Sequence, residues 1–155
     1  LSIIVSMHHP HMQCTSFDLP VIEPAAKSVI EKFGFDSRVK ILSGDFFNDD
    51  FPKADIITMG NILHDWGLND KKKLMKKAYE ALPDGGALVA IESILDDERK
   101  KNTFGLLISL TMLIETHEGY DFTFADFTSC AKEVGFKETK LMPLTGPVSA
   151  AIAYK

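Results

Sequence analysis

Hydrophobic residues follow two alternating patterns along the chain, short runs typical of strands and longer stretches with the spacing of amphipathic helices. The short runs predict six strands, at residues 13–19, 38–42, 54–59, 87–92, 137–141 and 148–154. The longer stretches predict helices at residues 23–33, 70–82, 102–115 and 123–134. Because helical segments separate most of the strands, the pattern predicts an α/β domain with a largely parallel sheet. Residues 145–147 leave no room for a crossover helix, so the last two strands are predicted to be antiparallel.

Proline, glycine and a threonine mark the ends of two of these helices. Pro24 suits the first turn of the helix at 23–33, and Gly34 suits its end. Thr123 is the expected N-cap of the last helix, which Gly135 should terminate.

The helix at 70–82 is rich in lysine. Asn69 or Asp70 is its expected N-cap, and Leu74, Ala78 and Leu82 share one apolar face. The other positions are expected to form a solvated face, with the lysines Lys71, Lys72, Lys73, Lys76 and Lys77.

Composition is that of one soluble domain spanning residues 1–155, with 45% hydrophobic and 25% charged residues. The net charge of −5 gives no overall positive field, so nucleic acid is not an expected partner. The longest apolar stretch, residues 105–114, is too short to cross a bilayer. Cys14 and Cys130 lack CxxC spacing and no secretory signal precedes them, which favours a cytoplasmic location. Because Leu1 begins an apolar run without a start signal, we interpret the chain as a piece of a longer protein.

Polar residues at strand ends are the first candidates for a functional site, because ligands of open α/β sheets bind beyond the carboxyl ends of the strands. Asp18 closes the first strand, where a carboxylate can hold ribose hydroxyls or simply cap a turn. After the second strand, Gly44 permits close approach of a ligand, Asp45 can accept from an amine and Phe46 offers a ring face to a base. The same segment can equally be an Asx turn followed by core phenylalanines.

An imidazole, a carboxylate and the only tryptophan follow the third strand, at His64, Asp65 and Trp66. Glu92 ends the fourth strand, so His64 and Glu92 can project toward the same edge of a parallel sheet. His64 is therefore a candidate general base, although a lone histidine is often structural. His8, His9 and His11 have no regular spacing, since Pro10 interrupts them, and no metal site is predicted there.

The order of these motifs resembles the S-adenosylmethionine-dependent O-methyltransferases related to plant caffeic acid and animal hydroxyindole O-methyltransferases. Residues 109–116 look especially like the bacterial members, and the resemblance rests on residues 17–20, 44–47, 62–66, 83–92 and 123–136. The resemblance implies a Rossmann-like class I methyltransferase sheet with a C-terminal antiparallel hairpin. It also implies S-adenosyl-L-methionine as cofactor, a small hydroxylated aromatic substrate and a homodimer of the full-length protein.

Several residues receive cofactor-binding roles from this resemblance. Asp18 is implied to bind the cofactor ribose, and Gly44, Asp45 and Phe46 to surround the adenine. Trp66 is implied to lie against the same ring. A basic residue that often contacts the cofactor in the family is absent here, where Gly60 and Asn61 precede the His64 segment.

The resemblance also implies the catalytic residues. His64 becomes the general base, flanked by Glu92 and by Asp121, which stands where many relatives have glutamate. A neutral imidazole can accept the proton of a phenol as the new bond forms, provided that a carboxylate stabilises the imidazolium. Such a reaction requires no metal.

Two parts of the family pattern are expected before Leu1 and are absent from this chain. They are the first strand with its glycine-rich loop, and the N-terminal helical domain that makes family members dimers. Without that strand, the strands ending at Asp18 and Met59 would each expose an unpaired edge. The alternatives are therefore a non-catalytic binding or dimerising module with the same fold, or a nicotinamide-dependent dehydrogenase that shares only Asp18.

Overall fold

The computed structural model describes residues 1–155, which form two compact units, Leu1–Asp50 and Phe51–Lys155. The first unit contains two strands that pair in parallel, with Cys14 opposite Val39 and Asp18 opposite Ser43. A 3-10 turn at Pro20–Ile22 precedes its second helix. Its helices and strands, in chain order, are α1 (Ser2–His8), β1 (Cys14–Asp18), α2 (Glu23–Lys32) and β2 (Val39–Ser43).

Local interactions fix the helix ends in this unit. Gly34 follows α2 with a φ of 72°, a left-handed conformation that favours glycine over other residues. The Arg38 guanidinium donates to the carbonyl oxygens of Ser6, His9 and Met12 at 2.7, 3.1 and 3.0 Å. These bonds satisfy carbonyls at the end of α1 and in the turn after it.

The second unit is a four-stranded sheet with three helices. The strands lie in the order β3-β4-β6-β5, in which β3 and β4 are parallel and the other two pairs are antiparallel. Its elements are β3 (Ile56–Gly60), α3 (Leu68–Ala81), β4 (Ala87–Glu92), α4 (Thr103–Glu115), α5 (Phe124–Val134), β5 (Glu138–Pro143) and β6 (Ser149–Tyr154).

The core of this unit lies between the central strands and the helices α3 and α5. Leu74 and Ala78 of α3, Leu88 of β4 and Ala131 of α5 are completely buried. Small residues of β6, such as Ala151, allow close packing on this sheet face. The carboxyl ends of β3 and β4 remain as the place where polar side chains gather.

The α/β fold and all six predicted strands are confirmed, each strand within two residues of its predicted ends. The antiparallel C-terminal hairpin is also confirmed. Thr123 caps α5 through a capping box with Asp126, and Gly135 ends that helix with a φ of 119°, both as predicted. None of the helices combines the length and the hydropathy that a bilayer crossing demands.

Two predictions for α3 are wrong. The helix begins at Leu68 with Gly67 as N-cap and no side-chain cap, so neither Asn69 nor Asp70 has the predicted role. Lys71 does not belong to a solvated face, since only 3% of it is exposed. The earlier start follows from the backbone bond of Lys71 N to Gly67 O at 2.9 Å, which adds a first turn before the predicted caps.

Candidate active site

Three ionisable side chains meet in the second unit, each from a different segment. His64 lies in a 3-10 turn, Leu63–Asp65, that follows β3. Glu92 is the last residue of β4, and Asp121 lies between α4 and α5. Their exposed fractions are 9%, 1% and 1%, respectively. Buried charged groups of this kind require partners, which they find mainly in one another.

Parallel pairing of β3 with β4 brings the His64 turn to Glu92. Gly60 lies opposite Ile91, and Asn61 continues the ladder by donating its N–H to Ile91 O at 3.1 Å. Glu92 Oε1 then accepts the N–H groups of Leu63 and Ile62, at 2.8 and 3.3 Å. The carboxylate of Glu92 therefore holds the backbone of the turn that presents His64.

Asp121 reaches the cluster because its segment lies beside the continuation of β4. Leu95 forms a parallel bridge with Thr123, and Leu95 N donates to Phe122 O at 3.0 Å. Asp121 N donates to Ser109 Oγ of α4 at 3.1 Å. The Thr123 capping box then fixes the start of α5 directly after this segment.

The imidazole of His64 faces carboxylates on both of its nitrogens. Nδ1 lies 3.4 Å from Asp121 Oδ1 and 3.9 Å from Glu92 Oε2, and Nε2 lies 3.4 Å from Asp65 Oδ1. Because two buried carboxylates face Nδ1, we assign the proton of the neutral ring to that nitrogen. The lone pair of Nε2 is then available to accept a proton.

The surroundings raise the pKa values of His64 and Glu92. The hydrogen bond to Asp121 raises the pKa of His64 above 6.5, aided by the negative charges of Glu92, Asp121 and Asp65, while burial opposes the shift. Burial raises the pKa of Glu92 to about 7, against the lowering effect of the His64 charge and of the Leu63 N–H. The pKa of Glu92 therefore lies near neutral pH, and that of His64 lies above its ordinary value, in the direction that favours proton acceptance.

Two carboxylate oxygens of the cluster lack hydrogen bonds. These are Glu92 Oε2 and Asp121 Oδ2, both buried. One ligand atom from each of His64, Glu92 and Asp121 lies within 4.8 Å of the others, and this nitrogen and oxygen set could also hold a divalent cation. The arrangement can thus stabilise either an imidazolium or a metal ion.

The first unit contains four of the five residues expected at the cofactor. Asp18 and Ser43 end neighbouring parallel strands, and Gly44 N donates to Asp18 O at 2.9 Å. Asp18 is exposed, and its Oδ1 accepts the N–H of Leu19 at 2.8 Å. Its carboxylate retains capacity to accept from a ligand's hydroxyl groups.

Asp45 forms the Asx turn of the second interpretation, but Phe46 and Phe47 are only half-buried and are not core residues. Its Oδ1 accepts from Phe47 N at 2.8 Å and its Oδ2 from Asn48 Nδ2 at 2.6 Å. Gly44 is required here, because a Cβ at this position would lie 2.6 Å from the Phe17 ring. Phe46 packs edge to face with Phe47, with ring centroids 5.0 Å apart. These contacts shape the segment, and the adenine contacts of Gly44, Asp45 and Phe46 remain predictions.

Trp66, the fifth residue expected at the cofactor, belongs to the second unit. It directly follows the His64 turn and is half-buried, and its carbonyl oxygen accepts from Lys71 Nζ. Its contact with the adenine stays a prediction.

Two further residues lie at this site, and the motifs gave neither of them a catalytic or binding role. Asp65 faces Nε2 of His64, and Lys71 donates to the backbone of Trp66 and of Tyr120. A signal for Lys71 was present, since it precedes Leu74 by three residues and Ala78 by seven and therefore shares their buried helix face.

Comparison with known proteins places this geometry in a family. A family model for an O-methyltransferase domain matches residues 2–137. The chain is 35% identical over 147 residues to the tetracenomycin polyketide synthesis 8-O-methyl transferase TcmO of Streptomyces glaucescens. This alignment covers 95% of the chain and 43% of TcmO.

Solved structures agree with the sequence match. An O-methyltransferase family 2 protein of Planctomyces limnophilus, in complex with apigenin, superposes with a TM-score of 0.93 at 26% identity, covering 99% of this chain and 46% of that one. Human N-acetylserotonin methyltransferase in complex with SAM superposes with a TM-score of 0.88 at 30% identity, covering 97% and 42%. The chain thus spans less than half the length of these relatives, and its class I methyltransferase fold is confirmed. The family resemblance in the motifs is confirmed as well, and the chain belongs to the O-methyltransferase domain family.

Proposed function

We propose that this chain is the cofactor-binding and catalytic part of an O-methyltransferase that methylates a hydroxyl group of a small aromatic molecule. The observation that carries the proposal is the position of His64, whose Nδ1 lies against Asp121 while its Nε2 can accept a proton. Apigenin in the complex of the Planctomyces protein supports an aromatic substrate. The complex of the human relative supports S-adenosyl-L-methionine as cofactor.

The residues of the first unit are suited to the adenosine part of this cofactor. Asp18 is an exposed carboxylate at a strand end, with capacity for ribose hydroxyls beyond its bond to Leu19 N. Gly44, Asp45 and Phe46 follow the neighbouring strand end and would border the adenine, with Trp66 against the same ring. When bound, the cofactor supplies a methyl group on a sulfonium, which leaves as a neutral thioether.

His64 would act on the substrate in the same step. Its Nε2 would take the proton of the substrate hydroxyl as that oxygen accepts the methyl group that the bound cofactor would supply. The resulting imidazolium lies against Asp121 through Nδ1, and Glu92 adds a second negative charge at 3.9 Å. Asp65, at 3.4 Å from Nε2, also stabilises the protonated ring.

We propose that this reaction uses no metal, although the cluster could ligate one. A cation between Glu92 and Asp121 would coordinate His64 through Nδ1, the nitrogen that faces both carboxylates. The proton of the neutral ring would then sit on Nε2, which could no longer accept the substrate's proton. Turnover should therefore persist in excess chelator, and added Zn²⁺ should inhibit it.

The full-length protein is the material for the decisive experiment. The variant His64→Ala should lower turnover by about 100-fold or more and leave the cofactor dissociation constant within about twofold of the parent. The control is His8→Ala, which removes an exposed imidazole at the end of α1 and should leave turnover unchanged. An unaltered turnover number in His64→Ala would exclude His64 as the base.

The same assay separates the alternatives left by the sequence. A non-catalytic module with this fold would bind cofactor but transfer no methyl group to any hydroxylated aromatic acceptor. A dehydrogenase would consume a nicotinamide cofactor, and membership of the O-methyltransferase domain family leaves that alternative without support. We further infer a homodimer of the full-length protein, to be checked by sedimentation, and a cytoplasmic location, in keeping with two free cysteines.

A further inference from the structure

Lys71 is a buried cation whose hydrogen bonds go to backbone carbonyl oxygens. It lies in the first turns of α3, and its Nζ donates to the carbonyl oxygens of Trp66 at 2.5 Å and of Tyr120 at 2.9 Å. The ammonium also lies 3.5 Å from the centroid of the Tyr120 ring, where a cation is attracted by the ring face. The contacts of Nζ therefore join two segments, the one that ends at Trp66 and the one that contains Tyr120.

One of these segments carries His64, the candidate base, and the other carries Asp121, the carboxylate that faces it. Trp66 is two residues after His64, and Tyr120 directly precedes Asp121. A single ammonium that binds both carbonyl oxygens therefore limits how far the His64 turn and the Asp121 segment can separate. The distance from His64 Nδ1 to Asp121 Oδ1, 3.4 Å, lies at the outer limit of a hydrogen bond, so a small separation would break it.

A second observation shows that the backbones of the His64 turn and of the Asp121 segment are in close contact. A Cβ on Gly119 would lie 2.7 Å from His64 O and 2.8 Å from Asp65 O. Only glycine lets the backbone before Asp121 approach the His64 turn this closely. The contact is thus built into the backbone of both segments.

The environment of Lys71 is unfavourable for a charge. Burial lowers its pKa to about 8, although the negative charges of Glu92 and Asp121 act in the opposite direction. A lysine that served only to fill space on this apolar face could be replaced by leucine or methionine without that cost. The two carbonyl contacts are what the charged side chain adds.

We propose that Lys71 is a positioning residue that holds the His64 turn against the Asp121 segment and so keeps Nδ1 within reach of the carboxylate. The catalytic consequence rests on the proposed function, whereas the positioning itself can be measured on His64 without any substrate. The titration of His64 is the readout, because its pKa is raised chiefly by the bond to Asp121.

The experiment is an NMR titration of the 155-residue chain with ¹⁵N-labelled histidine, comparing Lys71→Met with the parent. Loss of the positioning should lower the pKa of His64 toward its ordinary value, because the Asp121 hydrogen bond weakens. Removal of a positive charge alone would have the opposite sign, since it would make protonation of His64 easier in the field of Glu92, Asp121 and Asp65. The direction of the shift therefore distinguishes positioning from simple electrostatics.

The matched control is Lys76→Met, the same substitution at an exposed lysine of α3. It should leave the pKa of His64 unchanged, and Lys71→Arg, which keeps N–H donors at the end of a long stem, should retain most of the raised value. Lys71→Gln serves as a second variant with a shorter donor, in case Lys71→Met does not fold. An unchanged or raised pKa of His64 in Lys71→Met, or in Lys71→Gln where only that variant folds, would overturn the proposal.

Turnover of the full-length protein gives an independent result. Lys71→Met should lower kcat by about 10- to 100-fold with little change in the KM for cofactor, since a displaced base affects the chemical step. If the protein transfers no methyl group, the NMR titration still decides the positioning role, so the two proposals can fail separately. A lowered His64 pKa with unchanged kcat would mean that Lys71 positions His64 but that His64 is not the base.

Discussion

His64 Nδ1 and Asp121 Oδ1 lie 3.4 Å apart, although 57 residues separate them in the sequence. The imidazole comes from the turn after β3 and the carboxylate from the segment before α5, so the pair exists only in the folded chain. Because Asp121 is 1% exposed, water screens this interaction little. The pair therefore dominates the protonation of His64.

Replacement of the Asp121 carboxylate should change the pH dependence of turnover. The base must be neutral, so turnover rises with pH through the pKa of His64, which lies above 6.5 in the parent. Asp121→Asn removes the main cause of that raised pKa, so the acidic limb should move to lower pH, while maximal turnover falls by about 100-fold. Rate measurements between pH 5 and 9 on the full-length protein test this.

The control for this prediction is Asp84→Asn, an exposed carboxylate in the turn before β4. It should change neither the position of the acidic limb nor the maximal rate. A limb that stays in place in Asp121→Asn would mean that Asp121 does not set the protonation of His64.

We expect the buried charge of Glu92 to lower the free energy of unfolding at alkaline pH. Its pKa rises from 4.5 to about 7 on folding, so the folded chain binds a proton in this range that the unfolded chain has released. That contribution to stability is complete below pH 4.5 and is lost as the pH rises through 7. Glu92→Gln carries no charge at any pH. The difference in free energy of unfolding between this variant and the parent should therefore shift in favour of the variant by about 2–3 kcal/mol between pH 5.5 and pH 8.5.

Denaturant unfolding of the 155-residue chain at these two pH values measures the difference. The same variant should reduce turnover in the full-length protein, because the imidazolium loses one of its negative neighbours. A variant that loses more stability at pH 8.5 than at pH 5.5 would contradict the assignment of a buried charge to Glu92.

Asp18 should contribute to cofactor affinity but not to the proton transfer. Asp18→Asn should weaken cofactor binding by about 1.5–3 kcal/mol, the scale of hydrogen bonds to a charged acceptor. Calorimetry on the full-length protein would register this as a roughly 10- to 100-fold rise in the dissociation constant. With Asp36→Asn, a change at an exposed position after α2, binding should be as in the parent. If Asp18→Asn binds the cofactor as tightly as the parent does, Asp18 has only the structural role of accepting a hydrogen bond from Leu19 N.

The strand edges should make the 155-residue chain self-associate. β3 lies at one end of the four-stranded sheet, with Ile56 exposed on it, and the sheet of β1 and β2 contains only those two strands. Such edges present unpaired backbone groups to other chains. Sedimentation velocity should therefore show concentration-dependent association, which the edge substitution Thr58→Lys should reduce. A chain that stays monomeric at all concentrations would show that these edges are not open to pairing.

The strands and most helix ends could be read from the residue order, because they depend on neighbours within a few positions. β4 was predicted at its observed bounds, Ala87–Glu92, because an apolar run lies between a glycine turn and a charged residue. Thr123 and Gly135 act through bonds within one turn of helix, which local sequence is sufficient to indicate.

The motifs also predicted that His64 would lie beside Glu92 and Asp121, but not how the three side chains are held. That Glu92 holds the His64 turn through the backbone N–H groups of Ile62 and Leu63 follows from the register of β3 on β4. The upward shift in the pKa of Glu92 is likewise a consequence of burial, which no spacing along the chain expresses.

The burial of Lys71 could not be predicted from its residue type. A lysine within a run of lysines is normally solvated, and all five lysines of this helix were predicted to lie on a solvated face. The fold buries this one because it lies on the α3 face of Leu74 and Ala78 and because two distant carbonyl oxygens accept its protons. Local preferences determined the elements of this protein, whereas the pairing of segments far apart in sequence decided which charges were buried and what they bind. Only the packed chain supplies those contacts, since each depends on several segments at once.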